Sequence, residues 1–102
     1  MAKDHVHYYQ NLTSYADGHI HQMAGKTGYE IPIGQSHVHH YSEVTSFDDG
    51  HVHHFSGTTG PSIPMPGGHH THKYYGPTTF DDGHNHIYNA VTDVERFSRI
   101  FA

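Results

Sequence analysis

Pairs of histidines with one residue between them recur six times along this chain of 102 residues. Neutral imidazole is the commonest protein ligand for first-row transition metals, so each pair offers two ligands from one short stretch of backbone. The spacing therefore predicts metal binding by twelve of the fifteen histidines and a catalytic role for none of them. The predicted metal ligands are His5, His7, His19, His21, His37, His39, His51, His53, His70, His72, His84 and His86.

Each pair is followed by the same two residue types. Counted from the first histidine, the residue at position +4 is aromatic or Met, and the residue at position +8 is always Thr. A single pair of this kind is common and usually has no function, and solvated histidines would also suit a chain rich in Gly and Asp. Six pairs with the same internal spacing favour metal ligation over histidines that are merely exposed to solvent.

The separations between successive pairs alternate between short and long, at 14, 18, 14, 19 and 14 residues. Two pairs therefore form one larger repeat, and three such repeats of about 32 residues span 5–36, 37–69 and 70–102. The third repeat follows the pattern only as far as residue 88. We therefore predict a repeat domain over 1–88 and a divergent segment over 89–102.

Strand geometry explains why a pair of ligands would skip one residue. Side chains two apart share one side of a strand, whereas in a helix they point about 200° apart. The pairs, the Asp-Gly turns before three of them and the Gly- and Pro-rich connections predict an all-β fold of short strands, threefold or fibrous. In the last segment, Val94, Phe97 and Phe101 have helical spacing and predict a short C-terminal helix.

Several residues outside the pairs receive structural interpretations. The aromatic residues at +4 are predicted to fill the core between metal layers, and so are the three that precede the Asp-Gly turns, Tyr15, Phe47 and Phe80. The Asp of each turn, at 17, 49 and 82, is interpreted as a turn residue rather than a ligand. The three remaining histidines, at 40, 54 and 69, are expected to be exposed or to support the ligands.

One pair cannot complete a coordination shell, so pairs must meet other pairs, and three arrangements are compatible with the repeats. The three repeats can wrap into a pseudo-threefold unit, with the leading pairs in one layer and the trailing pairs in another. Three parallel chains can instead bring each pair to a common axis. Alternatively, the two pairs that flank a turn can form a four-His site within each repeat. Four nitrogens suit zinc, and six suit iron, nickel or another octahedral ion.

Composition restricts the function further. Only 33% of the residues are hydrophobic, with no Trp, so metal or oligomerisation is expected to stabilise the fold. The absence of Cys excludes disulfides and thiolate ligands. The net charge of −5 without a basic cluster argues against nucleic acid, and no apolar run is long enough for a membrane span. The first residues lack the apolar region of a signal peptide, so we expect a cytoplasmic protein, with spore or cell-surface deposition left open.

These observations predict a structural protein that binds several transition-metal ions (Fe, Zn, Ni or Cu) and assembles into a homo-oligomer, either a trimer or a filament. Nothing in the chain predicts an enzyme. A metal-dependent enzyme would need an open coordination position, usually with a carboxylate beside it, and Glu43 is the only carboxylate on the predicted His face. A soluble metal buffer or chaperone is the other alternative.

The order of motifs resembles the YmaF family of His-rich proteins of spore-forming bacteria. The resemblance covers 5–88 and is carried by the Asp-Gly-His-Val-His motif at 49–53 and the Gly-Thr-Thr-Gly-Pro motif at 57–61. It implies a His-rich repeat protein and little about activity. The serial His-x-His motif is also similar to the needle tips of phage tail fibres, and that similarity implies a trimer or filament in which three chains bind iron through six histidines.

Overall fold

The computed structural model describes residues 5–97 and shows a fold built almost entirely from short β-strands, which confirms the predicted all-β class. The only helical element in this part of the chain is a single 3-10 turn at Pro66–Gly68. The strands are β1 (His5–Leu12), β2 (Gln22–Lys26), β3 (Glu30–Ile33), β4 (Ser36–Val44), β5 (His54–Thr58), β6 (Ser62–Met65), β7 (His69–Pro77), β8 (Ile87–Val91) and β9 (Glu95–Phe97).

The strands form three antiparallel sheets of three strands, with the orders β2-β1-β9, β3-β4-β5 and β6-β7-β8. Each central strand begins at a leading His pair or one residue before it, and forms a hairpin with the next strand along the chain. The third strand of each sheet occupies an edge, where Pro32 and Pro64 are tolerated because an edge strand leaves amides unpaired. The Gly- and Pro-rich connections are therefore extended, as predicted, and contribute β3 and β6.

The predicted C-terminal helix is wrong for residues 89–97. Strand β8 continues through the predicted boundary at 88, and β9 pairs with β1 in the register that β3 and β6 adopt in the other sheets. His7 lies opposite Glu95 in the same way that His39 lies opposite Glu30. Tertiary pairing with β1 therefore overrides the local helical spacing. The remainder of the predicted helix, 98–102, lies outside the described residues.

Pairing of β9 with β1 closes the three repeats into a ring. The same backbone hydrogen bond joins each repeat to the next: Gly28 N donates to His40 O at 2.8 Å, and Gly60 N donates to Lys73 O at 2.8 Å. Asp93 N donates to Tyr8 O at 2.9 Å, which links the last repeat to the first. Of the three arrangements compatible with the sequence, the chain adopts the pseudo-threefold unit within a single copy.

The trailing His pairs depart from the prediction that every pair lies in a strand. Each Asp-Gly turn has positive φ at both residues, for example 53° at Asp17 and 85° at Gly18, as a type I′ hairpin turn requires. The first histidine of each trailing pair closes that turn in an isolated bridge, such as Ala16 with His19. The second histidine is extended but lies just before β2, β5 or β8.

Six buried side chains fill the interior between the leading and trailing pairs, and all occur at position +4. In the first hairpin, Tyr9 lies opposite Gly25 and Met23 opposite Asn11, between His7 at one end and His21 at the other. The core prediction is therefore confirmed for the +4 residues. It is wrong for Tyr15, Phe47 and Phe80, which are 71–72% exposed. The buried set is Tyr9, Met23, Tyr41, Phe55, Tyr74 and Tyr88.

The six Thr residues at +8 form a buried hydrogen-bonding system that explains their constant occurrence. Each hydroxyl accepts from the backbone N–H of the second histidine of a pair and donates to the carbonyl of the following residue. Thr59 Oγ1, for example, accepts from His39 N at 3.1 Å and donates to Gly60 O at 3.0 Å. The Thr residues therefore hold the backbone of the second histidine of each pair in place. The same acceptor role is taken by Thr13, Thr27, Thr45, Thr78 and Thr92.

Thr59→Val should lower the free energy of unfolding by about 1–3 kcal/mol, because the isosteric change leaves the buried amide of His39 without its acceptor. Urea denaturation measures the change. The matched control is Thr58→Val, because Thr58 is exposed and bonds only the exposed ring of His40. The control should change stability by no more than about 0.5 kcal/mol. Equal effects of the two substitutions would contradict a special role for the +8 Thr.

Candidate metal centres

The three leading pairs converge on one point inside the ring. Their six ring nitrogens lie within 4.8 Å of one another. The first histidines form a triangle, in which the Nε2 atoms of His5, His37 and His70 are 3.1–3.3 Å apart. The second histidines lie one layer deeper, with His7 Nε2 3.1 Å from His70 Nε2. We call this group the leading cluster: His5, His7, His37, His39, His70 and His72.

The three trailing pairs converge at the other end of the interior, where the ring nitrogens of five of their six histidines lie within 4.8 Å of one another. The two nitrogens of one pair are 3.0 Å apart in His19/His21 and in His51/His53. His86 Nε2 completes the group, 3.1 Å from His84 Nε2 and 3.3 Å from His19 Nε2. We call this group the trailing cluster: His19, His21, His51, His53, His84 and His86.

Two staggered triangles of nitrogens form an octahedron, and the spacing fits a metal–nitrogen bond. The short contacts, which join first histidines to one another and to second histidines, are 3.0–3.3 Å in both clusters. Dividing the edge of an octahedron by the square root of two gives a centre-to-corner distance of about 2.1–2.3 Å, a usual length for imidazole on a first-row ion. The spacing of the nitrogens in each cluster therefore matches the spacing of nitrogens around one octahedral ion.

We call the rings of the second histidines the inner rings. A hydrogen bond at Nδ1, the nitrogen that faces away from the cluster, determines that Nε2 faces its centre. In the leading cluster, Nδ1 of His7, His39 and His72 lies 2.9 Å from the carbonyls of Asp93, Gly28 and Gly60, respectively. In the trailing cluster, the equivalent rings contact carbonyls at 2.8–2.9 Å. A carbonyl can only accept, so Nδ1 carries the proton and Nε2 keeps its lone pair. Such outer-shell bonds are typical of metal-ligating histidines.

The inward lone pairs of the three inner rings in each cluster are unfavourable unless a donor or a cation faces them. Two inner rings of this tautomer cannot donate to each other through Nε2. His39 illustrates the point: its Nε2 is fully buried and, among residues 5–97, has no hydrogen-bond partner. A buried acceptor without a donor costs about 1–3 kcal/mol, and a metal ion at the centre of a cluster would satisfy the inner rings together.

Protons are poor substitutes for that cation, because the interior disfavours charged rings. Burial lowers the pKa of His7 and His39 to about 4 and that of His72 to about 3, although each carbonyl contact acts in the opposite direction. Burial also lowers the pKa of His53 and His86 in the trailing cluster. At neutral pH these rings are therefore uncharged, which is the form that binds metal.

Carboxylates lie outside the clusters and approach Nδ1 of several of the first histidines. In the trailing cluster, His19 lies 3.3 Å from Asp49, and His51 lies 3.3 Å from Asp82. In the leading cluster, Glu30 and Glu95 lie 3.7 Å and 3.5 Å from the rings of His5 and His70, respectively. None of these oxygens belongs to either group of converging atoms, so the predicted ligand atoms are all imidazole nitrogens.

The structure brings all twelve predicted ligands into the two clusters, and their binding of metal stays a prediction. The three other histidines, His40, His54 and His69, are exposed as expected. Sequence reasoning missed the carboxylates that contact the outer nitrogens, because the Asp of each Asp-Gly turn was interpreted only as a turn residue. Its constant position before each trailing pair is the signal in the sequence for a second role.

The family model described as spore germination protein GerY/YamF, named YmaF, matches residues 2–94 and confirms the resemblance found from the motifs. No curated protein and no solved structure matches the chain. No helix in the described part of the chain is long and apolar enough to cross a membrane.

Proposed function

This chain belongs to the YmaF family of spore germination proteins, and we propose that its function is to bind two transition-metal ions structurally, one in each six-His cluster. The single observation that carries the proposal is the set of inward lone pairs on the buried inner rings, whose outer nitrogens are bonded to carbonyls and whose Nε2 atoms lie 3.0–3.1 Å from a neighbouring ring, as in His7 and His21. Iron, nickel and other ions that accept six nitrogens fit this shell better than zinc, which prefers four ligands.

The experiment that tests this proposal combines metal analysis with mass measurement in solution. Protein purified from its native source, or reconstituted with ferrous iron or nickel, should contain two ions per chain by elemental analysis. His37→Ala/His39→Ala should retain one ion, and His51→Ala/His53→Ala should retain the other. A count of three ions per chain would favour four-His sites. A count of zero, with the fold intact, would overturn metal binding.

The proposed coordination by six imidazoles also has a consequence for catalytic activity. Six imidazoles leave no coordination position for a substrate, so we propose that neither centre is catalytic. A metal buffer remains the second candidate, because the six ring nitrogens proposed to hold each ion all come from one chain. The two functions differ in how fast the metal ion dissociates. A structural centre should retain its ion for hours in excess chelator, whereas a buffer should release it within minutes.

Assembly is a separate proposal, because coordination no longer requires a second chain. We propose a homo-oligomer in which copies meet through the exposed aromatic residue beside each Asp-Gly turn, at positions 15, 47 and 80. Light scattering of the variant Tyr15→Ser/Phe47→Ser/Phe80→Ser should then show a smaller assembly. Elemental analysis of the same variant should show an unchanged metal content. The control is Tyr75→Ser, because Tyr75 is 69% exposed and lies outside these turns.

The family description also supports a location. We propose that the protein is associated with the spore. Mass spectrometry of purified spores, compared with that of vegetative cells of the same culture, tests this.

A further inference from the structure

An open depression lies over the first hairpin and is separate from the His clusters. Its volume is about 530 Å³, which is in the range of small-molecule sites, and strands β1 and β2 contribute most of its lining. No histidine among residues 5–97 lines it. Two cations and two carboxylates do line it, and these are Lys26, Arg96, Glu43 and Asp93.

The four charged side chains do not neutralise one another. Within residues 5–97, none of them forms an ion pair or a side-chain hydrogen bond. Arg96 instead lies over the ring of Tyr8, with its guanidinium carbon 5.0 Å from the ring centroid. Lys26 is opposite Tyr8 in the register of β1 and β2. Two cations without carboxylate partners therefore flank one aromatic ring, which favours an anionic group between them.

The positive and negative charges lie at different levels along β1. A neighbouring depression of about 230 Å³ shares Tyr8 with the first, and the only charged residues that line it are the two cations. Another, of about 450 Å³, shares Gln10, and the only charged residue that lines it is Asp93. The central depression therefore has a cationic end near Tyr8 and an acidic side near Gln10.

The hydroxyl of Tyr9 adds a polar group to the wall of this depression. It is buried and, in the described part of the chain, has no hydrogen-bond partner. A Cβ on Gly25 would lie 2.9 Å both from this oxygen and from Cγ of Glu43, so the two side chains meet over Gly25. Burial, followed by the charge of Glu43, raises the pKa of Tyr9, so the hydroxyl stays neutral. A neutral hydroxyl can accept a hydrogen bond from an N–H donor beside Glu43.

All four charged residues depart from the repeat. Register and the bonds between repeats identify their counterparts, and every counterpart is uncharged. The scaffold therefore forms without charge at these positions, and the convergence of four charges on one depression indicates a local function. The counterparts are Ile31 and Ile63 for Arg96, Gly28 and Gly60 for Asp93, Thr58 and Val91 for Lys26, and Asn11 and Gly76 for Glu43.

We propose that this depression binds one small zwitterion of the free amino acid class per chain. The carboxylate of the ligand contacts Lys26 and Arg96 at the cationic end. Its ammonium group faces Glu43 and donates to the hydroxyl of Tyr9, and Asp93 adds negative charge on the same side. A ligand with only one of the two charges leaves one end without a partner, so preference for the zwitterion is the property that identifies this site.

Calorimetric titration of the metal-loaded protein with three matched ligands tests the proposal. L-Leucine carries both charges, 4-methylpentanoate lacks the ammonium group, and 3-methylbutylamine lacks the carboxylate. We expect one leucine per chain and a dissociation constant at least about tenfold higher for each analogue, because each loses charge-assisted hydrogen bonds at one end. Glycine, the smallest zwitterion of this class, is titrated in parallel so that the fit of the leucine side chain does not decide the result.

Substitutions assign the two ends of the ligand. Lys26→Gln should weaken leucine binding about tenfold and should not weaken that of 3-methylbutylamine, which has no carboxylate. Glu43→Gln should weaken leucine binding and should not weaken that of 4-methylpentanoate, which has no ammonium group. Lys73→Gln is the matched control, because Lys73 is exposed, bonds Asn89 and lies outside the depression. It should leave the affinity for all three ligands unchanged.

The possible results decide the proposal in either direction. Equal affinity for the three ligands, or equal weakening by Lys26→Gln and Lys73→Gln, would show non-specific attraction to surface charge and overturn it. Absence of binding by both leucine and glycine at millimolar concentration would overturn it as well. None of these substitutions removes a histidine, so elemental analysis of the same samples tests the proposed metal binding independently.

Discussion

Removal of metal should unfold the protein. A structural metal site contributes on the order of 10 kcal/mol to folding, whereas the net stability of a domain is only about 5–15 kcal/mol. Among residues 5–97, the hydrophobic core cluster comprises only six buried side chains, and without metal the buried inner rings would point unshared lone pairs at the centre of each cluster. Protein denatured in chelator and returned to native buffer without metal should lack β-sheet circular dichroism, and added nickel or ferrous iron should restore it.

A matched pair of variants separates metal ligation from the general loss of histidine. His39→Ala/His53→Ala removes one ligand from each cluster and should lower the melting temperature by about 20 °C or more, since 1 kcal/mol corresponds to about 4–8 °C in a domain of this size. His40→Ala/His54→Ala removes the neighbouring exposed rings and should shift it by only a few degrees. Retention of the full β-sheet signal by metal-free protein would contradict the central role of metal.

The alternation of residues within each His pair and the spacing between pairs made much of this architecture predictable. Alternation along β1 places His5, His7 and Tyr9 on one face, and the structure buries all three. The repeat length indicated a threefold organisation, but it could not decide between one chain and three, because either can bring six equivalent pairs together. That choice depends on β9, which closes the ring by pairing with a strand nearly ninety residues earlier.

The errors have a common cause. Residues 94–97 were predicted as helix from local spacing, although Glu95 occupies the place that Glu30 has in the first repeat. Phe47 was assigned to the core because it is aromatic, although a residue beside a tight turn at the end of a hairpin projects into solvent. In both cases, the position within the repeat was more informative than the residue type. Contacts between repeats, such as that of Asp17 with His84, depend on ring closure and could not be derived from one repeat alone.

Acid should release the metal and unfold the protein over a range of pH set by the buried rings. The unfolded chain binds protons at its histidines with a pKa near 6.5, whereas burial lowers the pKa of His7 and His39 to about 4 and of His72 to about 3. A depressed folded pKa means that the unfolded state binds more protons between those values. Stability is therefore complete above pH 6.5 and decreases as the pH falls towards 3, and bound metal, which requires neutral rings, lowers the folded pKa further.

The pH at which stability begins to fall distinguishes a contribution of histidines from one of carboxylates. Burial acts to raise the pKa of Glu95, but N–H donors from the backbone and the ring of His69 lower it to about 2, so its contribution is present above pH 4.5 and decreases only below that value. Between pH 6.5 and 4.5, the histidines alone should act. We expect the melting temperature and the metal content after ultrafiltration to fall together in that interval, and His40→Ala/His54→Ala to follow the same curve. A melting temperature that stays constant down to pH 4.5, with two ions still bound, would show that buried imidazoles do not hold the metal.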